Sequence, residues 1–311
     1  MNAKNIILAI LMVMSFTACS SEIEGIDNIT TNVSNGKISI SVCMMTEGIG
    51  TKSGVGDELT INNYVIAVFE KGTNARIGYV AKEGNPEGNV IVPGVKEGIV
   101  NVVVVANVDD INEFNNLYIY KEFTSKTVGH LSNLTKVCII EDKVINEYNK
   151  TLDVLLEQLT ARVNVVLNEP IVDVNGKDLV TVEIKAYSYK ANIVESTEIT
   201  GHPKTIDAKE ISLESNGRTS FFYYTYAVNN PILIINAELT ISINGNKQTI
   251  EKEITVDFTS VEDGKLKALW AGRSYNQTIN ANITVNQRQG VSFEYEIVKI
   301  KDNEEQNIKF K

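Results

Sequence analysis

Short stretches of alternating apolar and polar residues run along most of the chain, and this period of two predicts β-strands. Residues 37–44 alternate strictly, which places Ile38, Ile40, Val42 and Met44 on one face of a first strand. The pattern therefore predicts an all-β protein whose helices are minor and short. Further strands are predicted at residues 61–69, 76–81, 90–93, 180–187, 275–285, 291–300 and 308–310.

Two longer apolar segments need a separate interpretation. Residues 99–106 form an almost continuous apolar run, which is expected of a strand covered on both faces. Residues 152–167 end in β-branched residues, so they are interpreted as one long or broken strand. Short helices are predicted over 111–117, after an Asp-Asp capping pair, and over 127–134.

Asn-Gly pairs predict tight turns in the second half, because both residues tolerate the positive φ that a type I′ hairpin needs. They occur at Asn175-Gly176, Asn216-Gly217 and Asn244-Gly245. Three hairpins in one half of a chain favour a meander or a sandwich. Pro93-Gly94 predicts a further turn in the first half.

The first nineteen residues predict a lipoprotein signal peptide. Residues 6–14 form an apolar run that suits a signal sequence but is too short to span a bilayer, and Lys4 precedes it. Small residues lead to Cys19, the predicted site of fatty acylation such as palmitate. The alternative is an ordinary secretory signal with an incidental cysteine. The polar residues 20–36 that follow are interpreted as a tether.

Composition and charge narrow the function further. The formal net charge is −10, and such an acidic chain repels phosphate backbones, so no nucleic-acid partner is expected. Cys43 and Cys138 are either a disulfide or two small apolar side chains in strands. No metal-ligand spacing and no Gly-x-Ser-x-Gly nucleophile motif occurs in the sequence. We therefore expect no metal, no cofactor, no catalytic residue and no enzymatic activity.

Several of these pieces resemble the fimbrillin family, the pilin-like lipoproteins of Bacteroidales. A lipobox cysteine precedes a first strand and then a glycine-rich loop, in which Thr51-Lys52 stands where the family has a Thr-Arg-like cleavage site. Lys52 departs from that arginine, and Gln158 replaces an arginine near the family's junction strand. The other similar motifs are residues 67–69, 102–107, 159–165 and 271–275.

The resemblance implies two tandem β-sandwich domains of transthyretin-like fold. Residues 1–19 correspond to the signal peptide, and residues 20–52 to a propeptide that contains the tether and the first strand. Residues 53–162 correspond to an N-terminal sandwich. Residues 163–311 correspond to a C-terminal sandwich that includes a donor strand.

The resemblance also implies a mechanism of assembly. A trypsin-like or gingipain-like protease cleaves between Lys52 and Ser53, which frees the first strand and opens a groove with unpaired backbone groups. A strand from a neighbouring subunit fills the groove, and this head-to-tail contact propagates into a filament. The candidate donor residues are Val291, Phe293, Tyr295, Ile297 and Ile308.

The implied partners are other copies of the chain or related pilins, with an outer-membrane lipid anchor before cleavage and an extracellular pilus afterwards. A host or bacterial adhesion receptor is also expected. Two alternatives stay open: a non-polymerising anchor or tip subunit, and a monomeric surface lipoprotein that binds a glycan or host protein. The aromatic run at residues 221–226 is interpreted as a core strand rather than a glycan platform.

Overall fold

The chain folds into β-sheets with short helices, as the alternating pattern predicts. Its longest regular helix is the single turn and a half of α1 (Tyr120–Thr124), within the described part of the chain. Short 3-10 helices lie at Gly56–Leu59, Ile111–Phe114 and Leu131–Asn133. The structure is a computed structural model, and it describes residues 37–46, 56–175, 179–201, 207–212, 219–256, 258–260, 264–265, 268–286 and 290–298.

The strands are numbered in chain order. Those before residue 170 are β1 (Lys37–Thr46), β2 (Asn63–Glu70), β3 (Arg76–Glu83), β4 (Val90–Lys96), β5 (Gly98–Ala106), β6 (Thr127–Val128), β7 (Lys136–Ile145), β8 (Thr151–Gln158) and β9 (Thr160–Leu167). Those after it are β10 (Ile171–Asn175), β11 (Val180–Ile193), β12 (Thr197–Glu198), β13 (Asp207–Ser212), β14 (Ser220–Tyr226), β15 (Val228–Asn229), β16 (Leu233–Ile243), β17 (Asn246–Val256), β18 (Thr259–Ser260), β19 (Gly264–Lys265), β20 (Ala268–Leu269), β21 (Ser274–Asn286) and β22 (Gly290–Val298).

The first half of the chain forms a seven-stranded sheet in the order β3-β2-β5-β7-β8-β1-β4. Alternate residues of β2 and β5 share one apolar core with β1, β4 and β8, so the sheet wraps around that core. On the other face of β5, Val103 and Val105 pack with Phe114 and Phe123 of the short helices. Residues 99–106 are thus a strand covered on both faces, as predicted.

The second half forms two sheets that pack face to face. One has the order β13-β11-β16-β17. In the other, β14 pairs with β9, and β9 and β10 pair one after the other with the same side of β21, β9 along its first half and β10 along its second half. Strand β22 pairs with the other side of β21. Between the sheets, Tyr189 stacks on Phe221 and Tyr223, whereas Phe222 is half exposed. The aromatic run is therefore a core strand, as interpreted.

Residues 152–167 are a broken strand, in agreement with one of the two predicted forms. The break is at Leu159: β8 belongs to the seven-stranded sheet, and β9 belongs to the sheet of β21. A single apolar cluster contains both Phe123 and Val163, so packing is continuous across this link. The division into two domains at residue 162 stays a prediction.

Only one of the predicted Asn-Gly hairpins is present. Asn244-Gly245 joins β16 to β17 with both residues at positive φ, as a type I′ turn requires. The prediction at Asn175-Gly176 is wrong, because β10 pairs in parallel with β21 and β11 pairs with β16. Asn216-Gly217 lies outside the described residues, and the strands on either side of it, β13 and β14, pair with β11 and β9 and not with each other. The strands that precede these two dipeptides, β10 and β13, pair with strands other than the next one along the chain, and local turn chemistry does not specify such pairing.

Two local predictions in the first half also need correction. Pro93 and Gly94 lie inside β4, where the register with β1 shifts and Gly94 takes φ +79°, so they form a bulge and not a turn. Residues 127–134 contain β6 and a three-residue 3-10 helix in place of the predicted helix. Cys43 and Cys138, by contrast, agree with the second of their two interpretations: they lie on strands β1 and β7, and no disulfide joins them.

Candidate functional site

The first strand is an interior strand of its sheet. On one side β1 pairs in parallel with β8, from Ser41↔Thr151 to Thr46↔Leu156. On the other side it pairs antiparallel with β4, from Lys37↔Lys96 to Val42↔Val90. The ladder with β4 therefore covers residues 37–42 and the ladder with β8 covers residues 41–46, so the two overlap at Ser41 and Val42.

The side chains of β1 contribute to the core of this half of the chain. Ile40 and Val42 have no exposed surface, and Ile38 and Met44 are partly buried against the same apolar cluster. The four residues predicted to share a face thus all contact one core. Burial of an Ile or Val side chain stabilises by roughly 1.5–3 kcal/mol, so Ile40 and Val42 together contribute roughly 3–6 kcal/mol.

Removal of β1 would leave a slot between β8 and β4. Both flanking strands would then present unpaired backbone groups. They would also expose Leu152 and Val154 of β8 and Val92 of β4, which are fully or almost fully buried in the intact sheet. The lost burial is comparable with the whole free energy of unfolding of a domain, about 5–15 kcal/mol. An empty slot is therefore unfavourable, and another apolar strand is the group that fits it.

The chain that follows β1 is fixed again at the 3-10 helix Gly56–Leu59. The hydroxyl of Thr46 donates a 3.0 Å hydrogen bond to the carbonyl oxygen of Leu59, which ties the end of β1 to this helix. The predicted cleavage residues Lys52 and Ser53 lie between these points, outside the described residues, as does the predicted lipidation site Cys19.

A buried ion pair anchors this helix to the second half of the chain. Glu58 has no exposed surface, and its Oε1 accepts hydrogen bonds from Arg162 Nη1 at 2.8 Å and from the Tyr224 hydroxyl at 2.9 Å. Its Oε2 is buried without a hydrogen-bond partner. Arg162 lies on β9 and Tyr224 on β14, so Glu58 holds the segment after the loop against the sheet of β21.

Burial shifts the pKa values of two neighbours of Glu58. Desolvation lowers the pKa of the Lys136 ammonium to about 8, although the charge of Glu58 opposes the shift. The Lys136 Nζ donates hydrogen bonds to the carbonyl oxygens of Thr60 and Leu134 at 3.3 Å. Desolvation, with the hydrogen bond to Glu58, raises the pKa of Tyr224 well above its usual value. The cluster is therefore sensitive to any change that hydrates it.

The predicted donor residues lie on β22, at the edge of the other large sheet. Val291, Phe293, Tyr295 and Ile297 stand opposite Val285, Ile283, Ala281 and Ile279 of β21. These four β21 residues are all nearly or completely buried. Among the described strands, β22 pairs only with β21, so it has one open edge. Ile308 lies outside the described residues.

The structure therefore brings together the four predicted residues of the first strand, and it separately aligns four of the five predicted donor residues. It does not bring donor and slot together within one chain, because β22 and β1 belong to different sheets. Sequence reasoning missed the Glu58 cluster. The one sequence feature that points to this cluster is Arg162, which is the single charged residue of β9.

Other kinds of site are not found in the described part of the chain. No group of three or more His, Cys, Asp and Glu residues is arranged to hold a metal ion there. None of the described helices has the length and apolar character needed to cross a bilayer.

Solved structures resemble this chain over most of its length. A candidate cell adhesion protein from Parabacteroides distasonis has a TM-score of 0.54 at 16% identity, over 85% of this chain and 96% of that chain. A candidate cell adhesion protein from Bacteroides eggerthii has a TM-score of 0.52 at 13% identity, over 86% of this chain and 97% of that chain. The chain shares the fold of these two proteins.

A fimbrillin from Porphyromonas gingivalis is also similar, with a TM-score of 0.46 at 13% identity, over 83% of this chain and 96% of that chain. Solved structures similar to this chain thus include a fimbrillin and cell adhesion candidates of Bacteroidales, as the sequence resemblance predicts. No protein-family model matches the chain, and no curated protein matches it.

Proposed function

We propose that this chain is a subunit of a surface pilus that supports cell adhesion. It is exported as an outer-membrane lipoprotein through Cys19, cleaved between Lys52 and Ser53, and polymerised by donor-strand exchange with copies of itself or related pilins. The observation that carries the proposal is that β1, which precedes the predicted cleavage site, is an interior strand that pairs with β4 through its first half and with β8 through its second half. The fold shared with two cell adhesion candidates supports the same role.

Exchange follows from the free energies involved. Because an empty slot loses roughly 3–6 kcal/mol of burial at Ile40 and Val42 alone, β1 stays in place until a competing strand enters. Cleavage at Lys52 then makes its departure irreversible, because the strand is no longer covalently held. A donor needs apolar residues at alternate positions, and the row from Val291 to Ile297 has that spacing, with Ile308 farther along the chain.

The proposal is tested by limited proteolysis of the purified chain with a trypsin-like protease. We expect a new N-terminus at Ser53 by mass spectrometry, followed by high-molecular-weight species in size-exclusion chromatography and filaments in electron microscopy. Lys52→Gln should abolish both, whereas the matched control Lys37→Gln, at the exposed start of β1, should leave both intact. A chain that is cleaved at Lys52, loses β1 and stays monomeric contradicts polymerisation.

An anchor or tip subunit is the second candidate function, and one observation favours it. The described part of β22 is already engaged with β21, so donation of this strand requires it to leave its own sheet, whereas acceptance requires only the loss of β1. A cap of this type would bind one pilin and stop. Mass photometry of the cleaved chain mixed with a polymerising pilin separates the two roles, because a cap shortens filaments and a stalk subunit lengthens them.

A further inference from the structure

A cleft of about 680 Å³ lies on the outside of the seven-stranded sheet, where β7 and β8 separate. The two strands are joined by the pairs Lys136↔Gln158 and Val137↔Glu157. Beyond these pairs the two strands are not paired with each other, and Cys138 and Leu155 both line the gap. The other walls are formed by residues 199–201, 227, 229 and 268–271.

The chemistry of the cleft is that of a peptide site. Its walls are mainly apolar, with Ile139, Leu155 and Leu269 among them. Trp270 lines the cleft with 55% of its surface exposed, so it offers an aromatic face to a bound segment. Glu157, also exposed, places a carboxylate at the rim of the cleft. An extended segment with alternating apolar and basic residues matches this arrangement.

We propose that the cleft binds the C-terminal segment of the same chain, residues 299–311, through Ile308 and Phe310 in its apolar part and Lys309 and Lys311 toward Glu157. The sequence Ile-Lys-Phe-Lys alternates strictly, so its two apolar side chains share one face and its two ammonium groups share the other. Opposite charges then meet at the rim, and the faces of Trp270 and Phe310 pack together.

The course of β22 brings this segment within reach. Strand β22 runs antiparallel to β21 and ends at Val298, opposite Thr278, so it heads toward the end of β21 that adjoins Trp270. The turn before β21 is held beside the β8–β9 link by a 3.0 Å hydrogen bond from the Gly272 N–H to the Thr160 carbonyl oxygen. Ile308 is ten residue steps beyond Val298, which is enough to span up to roughly 33 Å.

The single tryptophan of the chain makes the inference testable, because Trp270 reports on the cleft alone. In the full chain, acrylamide should quench Trp270 fluorescence weakly, and Ile308→Ser with Phe310→Ser should raise the quenching constant about two-fold. The matched control Gln306→Ser with Asn307→Ser should leave it unchanged. Equal quenching of all three chains, with unchanged circular dichroism, overturns the proposal.

A charge exchange tests the orientation of the segment. Glu157→Lys alone, and Lys309→Glu with Lys311→Glu, should each increase quenching of Trp270, whereas the combination of all three should restore the original value. Recovery would not occur if the lysines were merely solvated. Because Glu157 is exposed, Glu157→Lys removes no core side chain.

The concentration dependence decides between the same chain and a second copy. Binding within one chain gives a quenching constant that does not change over a hundred-fold dilution, which is the expected result. Protection that grows with concentration means that the cleft binds the segment of a second copy, and it overturns the proposal. The inference does not depend on polymerisation, since these measurements use the uncleaved chain.

Discussion

The position of Ile40 allows the proposed exchange of β1 to be measured as a change in stability. Ile40 has no exposed surface and contacts the core shared by β1, β4 and β8. Truncation of such a side chain to alanine typically destabilises by 2–5 kcal/mol. We therefore expect Ile40→Ala to lower the free energy of unfolding of the uncleaved chain by about 3 kcal/mol.

Urea denaturation followed by circular dichroism provides the measurement. With a denaturant dependence of about 1–3 kcal/mol/M, a loss of about 3 kcal/mol moves the midpoint of the affected transition by roughly 1–3 M. Ser39→Ala is the matched control, because Ser39 is an exposed residue of the same strand, and surface changes usually stay within about 0.5 kcal/mol. If both variants shift the midpoint equally, β1 is not the interior strand described above.

The same substitution should have no effect on the assembled form. After cleavage and exchange, residue 40 is no longer part of the sheet, so polymers of Ile40→Ala and of the original chain should dissociate at the same urea concentration. A less stable precursor together with an equally stable polymer is the signature of strand exchange. Polymers that are weakened by Ile40→Ala would mean that β1 is retained, and the exchange mechanism would be wrong.

Further predictions concern the junction and the packing of the first sheet. Glu58→Gln should destabilise by about 3–5 kcal/mol in urea melts, because it breaks the buried Glu58–Arg162 ion pair from one side, whereas apolar replacement of both residues should restore most of that loss. The lowered pKa of Lys136 means that the unfolded chain binds more protons above pH 8, so stability should rise with pH between about 8 and 10.5, and Lys136→Met should flatten that slope in pH-dependent melts. Gly78→Ala should destabilise by about 1–3 kcal/mol, because its Cβ would stand 2.8 Å from a β4 methyl group, whereas Gly72→Ala, with nothing within 4 Å, should change the thermal midpoint little.

Local pattern predicted the strands well because most of them bury one face. The strict alternation of residues 37–44 corresponds to β1, and the apolar run of residues 99–106 corresponds to β5, the strand expected to be covered on both faces. Strand pairing was less predictable. The turns at Asn175-Gly176 and Asn216-Gly217 have the same dipeptide as the true hairpin at Asn244-Gly245, and only contacts between distant strands distinguish them.

The contacts that join the halves of the chain could not be predicted from the sequence. Glu58 and Arg162 are 104 residues apart, and each alone is an ordinary charged residue in a chain with many of them. Burial of a charge is decided by the partner that packs over it, and sequence spacing does not reveal that partner.

The two ladders of β1 have a mechanical consequence. A pull on the N-terminal end of this strand acts along its axis, parallel to β8 and antiparallel to β4, so both rows of hydrogen bonds are loaded in shear and must rupture nearly together. A pull at right angles to the strand would open them one after another, at a much lower force. A strand held in this slot, whichever chain provides it, is therefore oriented to resist drag along the length of a fibre.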